Sequence, residues 1–471
     1  MFRKSGLIVT VMLLIMVGSH LAFGAARAQA DGEILVVAVE SARVPVEAWA
    51  AAFGALHPDV ALRLDFAAGD EDVLAQSAQA DIVIYAQYDQ EPPIDFECGT
   101  ISRAYVLLPD LGARYLASED CGDYVSPKTP VMRDFLRYIV SPDGQQIAID
   151  LGLLPNVVEV VDQGGVTVRV PQPVRRIVSG YGVSTYYIYT VGAVDRIAAA
   201  GYVGARDPES QAAMRRLDPG FDTRSTAVSV IGQKEINIEE MAALQPDLIL
   251  VSARTAWIDT AAELGIPILR YEGESPERLK GAMLLTGAVL GPDALYRAEQ
   301  FNAYYDATLA RILAQTQSVI DPIRVYFSGT EPLRAASGDM YQTAMIEAAG
   351  AASVSKDLTG SWNDVNLEQV LIWDPDVIFV PTYGGATVEA FTEPAEWQIV
   401  RAVQAGQVYQ LPQFIAPWDT PLPDSILGII WMAETLYPDQ FELGCQTETT
   451  YFYNMFYDYP IGQEEVQSLC G

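Results

Sequence analysis

Two Rossmann-like α/β lobes joined by a single long helix, with an additional N-terminal α/β lobe ahead of them, is the fold class this sequence predicts. Three observations predict it. One segment occurs twice, as Asn237-Ile-Glu-Glu-Met-Ala-Ala-Leu-Gln-Pro246-Asp-Leu-Ile-Leu-Val251 and as Asn366-Leu-Glu-Gln-Val-Leu-Ile-Trp-Asp-Pro375-Asp-Val-Ile-Phe-Val380. In each copy an Asn caps a short helix and a Glu sits in its first turn, where the helix dipole favours an anion. Pro-Asp then breaks the helix, and an apolar run suited to a parallel strand buried on both faces follows. Two copies imply two similar lobes. Second, Leu295, Ala298, Phe301, Tyr305, Leu309, Ile312 and Leu313 keep helical spacing. They predict one helix over 292–320, roughly 40 Å long at 1.5 Å per residue, which is long enough to join two lobes side by side. Third, a strand–helix–strand pattern of its own occupies 31–160, ahead of both copies.

In chain order, residues 1–30 read as a secretion signal. Arg3 and Lys4 open it, Leu7 to Val17 is apolar, and Ala28-Gln29-Ala30 is a small-residue cleavage site. The apolar run is short for a membrane span, and no Cys follows the cleavage site to carry a lipid. A secreted protein, periplasmic or extracellular and not lipid-anchored, is expected. In the first lobe, Glu33 to Val39 is a strand, and Pro45 to Leu56 a helix with its proline in the first turn. Val60 to Phe66 is a strand, Asp70 to Gln79 helical, and Asp81 to Tyr85 a third strand. Asn156 to Gln172 connects to the next lobe, which ends at 291. It holds strands at Val166 to Val170 and Arg176 to Ser179, a glycine- and tyrosine-rich loop from Gly180 to Tyr189, the first repeat copy, and a strand over Leu264 to Leu269. After the linking helix the pattern restarts in 321–471, with a strand at Arg324 to Phe327 and a helix at Tyr341 to Ala349. The second repeat copy, a strand at Val408 to Leu411 and a helix from Ser425 to Glu434 follow.

Charge and rare residues narrow the functions. The chain carries 29 Lys and Arg against 61 Asp and Glu, a net charge of −32. Such a surface disfavours nucleic acid and anionic lipid headgroups but permits docking on a basic protein surface. Simple solubility explains the same charge. Four cysteines form two local pairs, and in a secreted chain proximity favours the disulfides Cys98–Cys121 and Cys445–Cys470 among the three possible pairings. His57 is the only histidine outside the leader, and no CxxC or Cys/His metal spacing occurs. The sequence therefore offers no material for a His-based triad or a His-rich metal site, and no cofactor, metal or catalytic residue is expected. An enzyme would need a carboxylate pair or a serine mechanism, and no G-x-S-x-G motif is present.

Two resemblances connect these readings to function. The order strand, AFGALHPDVALRLDFA, then ADIVIYA, together with residues 132–146 and Gly152-Leu-Leu-Pro155, resembles the beginning and end of solute-binding proteins of the molybdate/tungstate and sulfate type. The middle that builds their second lobe is missing, so this resemblance implies a partial lobe without a cleft of its own. Residues 164 to about 440 resemble the helix-linked binding proteins that serve ABC importers of iron–siderophore complexes and cobalamin. The matching pieces are RIVS, GAVDRIAAAG, INIEEMAALQPDLILVS, RVYFSGTEPLRAASGDMYQTAMIEAAGA, SWNDVNLEQVLIWDPDVIFVP and PWDTPLPDSILGIIWMAETLYP, in the family's order.

The second resemblance implies a monomeric, non-enzymatic binding protein that delivers a small molecule to an ABC permease and its ATPase. It implies that Glu239 and Glu368, one on each lobe, dock onto the permease. Ligand is expected between lobes, at loops that follow strand C-termini. The first lobe offers Tyr181, Ser184, Thr185, Tyr186 and Arg254 there. The second offers Arg334, Trp362, Tyr383 and Trp418. Rings stack on a planar chelate and arginines meet its anionic oxygens. Core packing is the alternative for Tyr186, Tyr187 and Tyr189. A ferric siderophore is the first expectation for the ligand, cobalamin or another corrinoid the second, and molybdate or tungstate a further one. A sensor or adhesion protein without transport is the competing class.

Overall fold

A computed structural model of the chain describes residues 33–86, 104–115, 128–203, 207–226, 237–273, 275–317, 319–441 and 444–471. The leader and the Cys98–Cys121 pair lie outside the described residues. Two compact units divide between Leu154 and Pro155.

In the first unit, β1 (Glu33–Val39), β2 (Ala61–Ala67) and β3 (Ile82–Tyr85) are parallel. The strands β4 (Ala104–Leu108) and β5 (Leu111–Tyr115) close the sheet antiparallel, in the order β2-β1-β3-β5-β4. Helices α1 (Arg43–Leu56), α2 (Asp70–Ala75), α3 (Thr129–Val140) and α4 (Pro142–Asp150) complete the unit. Trp49, Phe53 and Phe135 are fully buried in a core that this unit holds by itself. The Trp49 indole donates to Gly144 O at 2.9 Å. A Cβ at Gly144 would stand 2.1 Å from Ile139 O, so only glycine allows this approach of α3 and α4.

The second unit opens with a hairpin of β6 (Val157–Val161) and β7 (Thr167–Pro171). Two all-parallel sheets follow, with strands that are apolar and buried as such sheets require. The first lobe is built on β8 (Ile177–Ser179), β9 (Ile197–Ala200), β10 (Leu248–Ser252) and β11 (Ile268–Tyr271), in the order β11-β10-β8-β9. Its helices include α5 (Gly182–Thr190), α6 (Pro208–Leu217), α7 (Phe221–Thr226), α8 (Ile238–Ala243), α9 (Ile258–Ala262) and α10 (Pro276–Leu290).

The linking helix α11 (Pro292–Thr316) has 25 residues. Gly291, at φ +111°, makes the sharp break between α10 and α11, where a side chain would be strained. A Cβ on Gly287 would meet Leu295 Cα at 2.6 Å, so that glycine lets the two helices close on each other. Helix α11 ends before the expected Ile320, which is 91 % exposed and has no packing to hold a further turn, and Leu313 faces solvent. The other six spaced residues are buried or half-buried.

The second lobe is built on β12 (Arg324–Phe327), β14 (Ala352–Ser353), β16 (Val377–Val380) and β17 (Val408–Gln410), in the order β14-β12-β16-β17. A side ribbon pairs β13 (Arg334–Ala335) with β15 (Asn363–Asp364). Its helices are α12 (Tyr341–Ala348), α13 (Leu367–Trp373), α14 (Val388–Thr392), α15 (Arg401–Gln404) and α16 (Ser425–Leu436).

The repeat is reproduced in detail. Asn237 caps α8 through Glu240 N, and Asn366 caps α13 through Gln369 N. Gln245 and Asp374, at matching offsets, both take left-handed φ values of +49° and +44°. The Asp after each proline pins its strand to a neighbour. Asp247 accepts from Arg175 N and Arg176 N, and Asp376 accepts from Arg324 N.

The chain ends in a hairpin of α17 (Cys445–Tyr457) and α18 (Gln463–Cys470), closed by the Cys445–Cys470 disulfide with Cα atoms 5.7 Å apart. Arg216 of the first lobe pairs with Glu465, Tyr304 of α11 donates to Glu448 at 2.7 Å, and Trp418 of the second lobe donates to Tyr453 at 3.1 Å. The tail therefore ties both lobes and the linking helix together.

Candidate functional site

Open parallel sheets bind ligands outside the C-terminal ends of their strands. In the first lobe those ends lead into Tyr181 after β8 and Arg254 after β10. Tyr181 is half-buried at the start of α5, and Arg254 is exposed. The rest of the glycine- and tyrosine-rich stretch is not a loop. It forms α5, and all residues from Val183 to Thr190 are buried, because the helix is covered on every side.

Three expected ligand contacts are corrected accordingly. Ser184 Oγ lies 2.9 Å from Ser179 Oγ and donates to Tyr181 O at 2.7 Å. Thr185 Oγ1 donates to Gly201 O at 2.6 Å and lies 2.8 Å from Ser179 Oγ. The Tyr186 hydroxyl donates to Val203 O at 2.7 Å. Burial raises the Tyr186 pKa well above the usual phenol value. Tyr187 and Tyr189 are core residues too, bonded to Pro421 O and the Asp218 carboxylate. Trp418 is the fourth correction. It is fully buried, with its indole N–H engaged by Tyr453.

In the second lobe, Arg334, Trp362 and Tyr383 stay half-buried at the corresponding edge. A Cβ on Gly329 would lie 2.8 Å from the Trp362 ring and 3.2 Å from Arg334 O, so these residues gather on the turn that leaves β12. Gly384, next to Tyr383, approaches Thr330 of the same turn, where its Cβ would meet Thr330 Cα at 2.6 Å. The segment 411–424, which leaves β17, crosses to the first lobe. It accepts from Ser210 at Phe414 O, from Tyr186 at Ile415 O (3.4 Å) and from Tyr187 at Pro421 O (3.2 Å).

Polar atoms are left incomplete at this edge. Among the described residues, six buried side-chain N and O atoms without a hydrogen-bond partner sit here: Arg334 Nε, Gln342 Oε1, Thr382 Oγ1, both Asp419 carboxyl oxygens and Thr420 Oγ1. Buried polar groups are ordinarily paired, which makes this edge the candidate place for a further molecule. Asp419 is fully buried, and its backbone carbonyl accepts from Gln342 Nε2 at 2.8 Å. Desolvation pushes its pKa up to about 7, opposed by its own backbone and by the Tyr383 phenol. That phenol stands beside the carboxyl.

Sequence reasoning missed Gln342, Thr382, Asp419 and Thr420. The signal available was position for Thr382 alone, two residues after the strand at 377–380. Glu239 and Glu368 are exposed in the first turns of α8 and α13, at the same place in the two repeat copies. Among the described residues no helix is long and apolar enough to cross a membrane, and no group of three or more His, Cys, Asp or Glu could hold a metal ion.

Comparison with known proteins places this geometry in context. A family profile described as periplasmic binding protein matches residues 177–414. The molybdate-binding protein MolA of Haemophilus influenzae is 27% identical over 230 residues, which cover 44% of this chain and 65% of that protein. The vitamin B12-binding protein of Yersinia pestis is 28% identical over 220 residues, covering 44% of this chain and 70% of the relative. In fold, the second unit is similar to a periplasmic solute binding protein of Veillonella parvula, with a TM-score of 0.58 at 24% identity over 67% of this chain and 97% of that one.

Proposed function

The chain belongs to the periplasmic binding protein family, and from that premise we propose that it is the extracytoplasmic binding protein of an ABC importer. It captures a metal chelate, a ferric siderophore first of all, between its two lobes and hands it to the permease without chemistry of its own. One observation carries the reading: the six unpartnered polar atoms of Arg334, Gln342, Thr382, Asp419 and Thr420 at the C-terminal edge of the second sheet. Arg334, Trp362 and Tyr383 form the ligand face from one side, and Tyr181 and Arg254 from the other. Ring stacking and charge-assisted hydrogen bonds suit a planar or aromatic chelate with anionic oxygens. Glu239 and Glu368 project from equivalent turns and serve as paired docking points for the permease. The protein acts as a secreted monomer, and the unit ending at Leu154 binds no solute itself.

A second reading, a molybdate ligand, is favoured by the similarity to MolA of Haemophilus influenzae. Mass spectrometry and elemental analysis of ligand carried by protein from its native source separate the two. A metal chelate supports the first reading. Molybdenum without an organic partner supports the second, and a protein that never carries a small molecule from a medium containing both contradicts binding for import.

A further inference from the structure

Two aspartates on the segment 411–424 share the same burial and differ in everything else. Asp424 is fully buried, and its two oxygens accept from the phenols of Tyr453, at 2.8 Å, and Tyr457. It is a structural acid that ties the tail hairpin to the second lobe. Asp419 is equally buried, and neither of its oxygens has a partner. A buried carboxyl without partners costs free energy in either protonation state. The chain shows at Asp424 how it satisfies such a group when the role is internal, and at Asp419 it does not do so.

The neighbouring atoms define what is missing. Gln342 Nε2 is engaged by Asp419 O, which leaves Gln342 Oε1 buried and unpartnered. Asp419 Oδ1, Asp419 Oδ2 and Gln342 Oε1 are oxygen acceptors at one end of the edge. Arg334 Nε, on the residue whose backbone carbonyl flanks Gly329 with the Trp362 ring, is a donor. The edge is thus bipolar, with acceptors waiting for donors and one donor waiting for an acceptor.

We propose that the ligand carries N–H groups, amide or ammonium, that Asp419 and Gln342 accept, while its oxygens meet Arg334. This assignment rests on reading the second lobe's edge as the ligand site. It makes Asp419 a specificity residue. A fully ionised tetrahedral oxyanion has no donor to offer Gln342 Oε1 or the ionised Asp419, and its charge opposes that carboxylate. A chelate whose arms or rim bear amide or ammonium groups satisfies both ends at once. Tyr383, half-buried beside the carboxyl, is the side chain that yields when the donor arrives.

Calorimetric titration of the mature protein with three probes tests this. Cyanocobalamin carries primary amides on its rim, ferrioxamine B carries a free ammonium, and molybdate carries no donor. The expected result is that at least one donor-bearing probe binds tenfold or more tightly than molybdate. Asp419→Asn should weaken that probe at least tenfold and leave molybdate unchanged or tighter, and Gln342→Met should act in the same direction. Thermal melts confirm that each variant is folded, and Gln342→Met decides alone if Asp419→Asn does not fold. Donor-probe affinity that survives both substitutions overturns the proposal, as does molybdate as the tightest probe. A wild-type protein that binds none of the three overturns the cleft reading itself, a result distinct from wild-type binding that the variants leave untouched.

Discussion

The two lobes share a parallel sheet, a repeated helix–strand segment and a repeated Asn cap, yet they finish the C-terminal edges of their sheets in opposite ways. In the first lobe Ser179, Ser184, Thr185 and Tyr186 close their hydrogen bonds on one another and on backbone carbonyls. In the second, Gln342, Thr382, Asp419 and Thr420 keep buried polar atoms open. A helix covered on all sides must satisfy its own polar groups. Residues on turns that leave β16 and β17 need not, if something outside the chain completes them. On the function proposed above, the first lobe would supply a wall and the second recognition.

The largest effect that would sharpen this contrast is on stability. Tyr186→Ala and Trp418→Ala each empty a fully buried aromatic site. Each is expected to cost about 3–5 kcal/mol in denaturant unfolding, with the ligand affinity of the protein that remains folded little changed. A pure affinity loss with normal stability would return these residues to the cleft.

The acid pair gives the next effect. Burial raises Asp424 to about 6 and Asp419 to about 7, both above an unfolded aspartate. Folding stability is therefore highest below about pH 4, where both carboxyls are neutral in either state, and falls as pH rises towards the folded-state values because the charged forms are disfavoured by burial. Each should contribute on the order of a few kcal/mol. Unfolding free energies of the wild type should fall between pH 4 and 8 more steeply than those of Asp419→Asn. Parallel curves for the two proteins would show that Asp419 titrates normally.

Matched cleft variants compare the lobes directly. Arg334→Ala is expected to weaken ligand binding by about 1.5–3 kcal/mol, the worth of a hydrogen bond to a charged group. Arg254→Ala, on an exposed side chain, should cost less than about 1 kcal/mol. The reverse order in calorimetry would move recognition to the first lobe. The smallest effect on affinity belongs to Glu239→Arg with Glu368→Arg, which should leave binding and fold intact and impair uptake in cells. Normal uptake by that double variant would remove the docking role.

Much of the fold was legible because it rests on periodicity. The doubled Asn…Pro-Asp segment, the spacing along the linking helix and the apolar strand runs all describe local order that the chain reproduces. The α5 stretch was not legible. Gly180-Tyr-Gly signals a loop, but Val183 to Thr190 is buried on every face, and covering of that kind comes from the tail and from segment 411–424, remote in sequence. For the same reason Ser184, Thr185, Tyr186 and Trp418 pass for binding residues in sequence. Asp419 stands next to Trp418 in a run rich in prolines, and its significance lies in partners it lacks, which no sequence pattern records. Arg334, Trp362 and Tyr383 remain half-buried candidates, and of the three only Tyr383 follows a strand of the repeat, the other two resting on the family resemblance.

The most direct test is amide hydrogen exchange on natively isolated protein, with its bound ligand and after the ligand is stripped. If recognition lies with the second lobe, ligand should protect segments 328–334, 381–385 and 411–421 more strongly than 180–182 and 252–256. Protection that is equal in the two sets, or greater in the first lobe, would contradict the account.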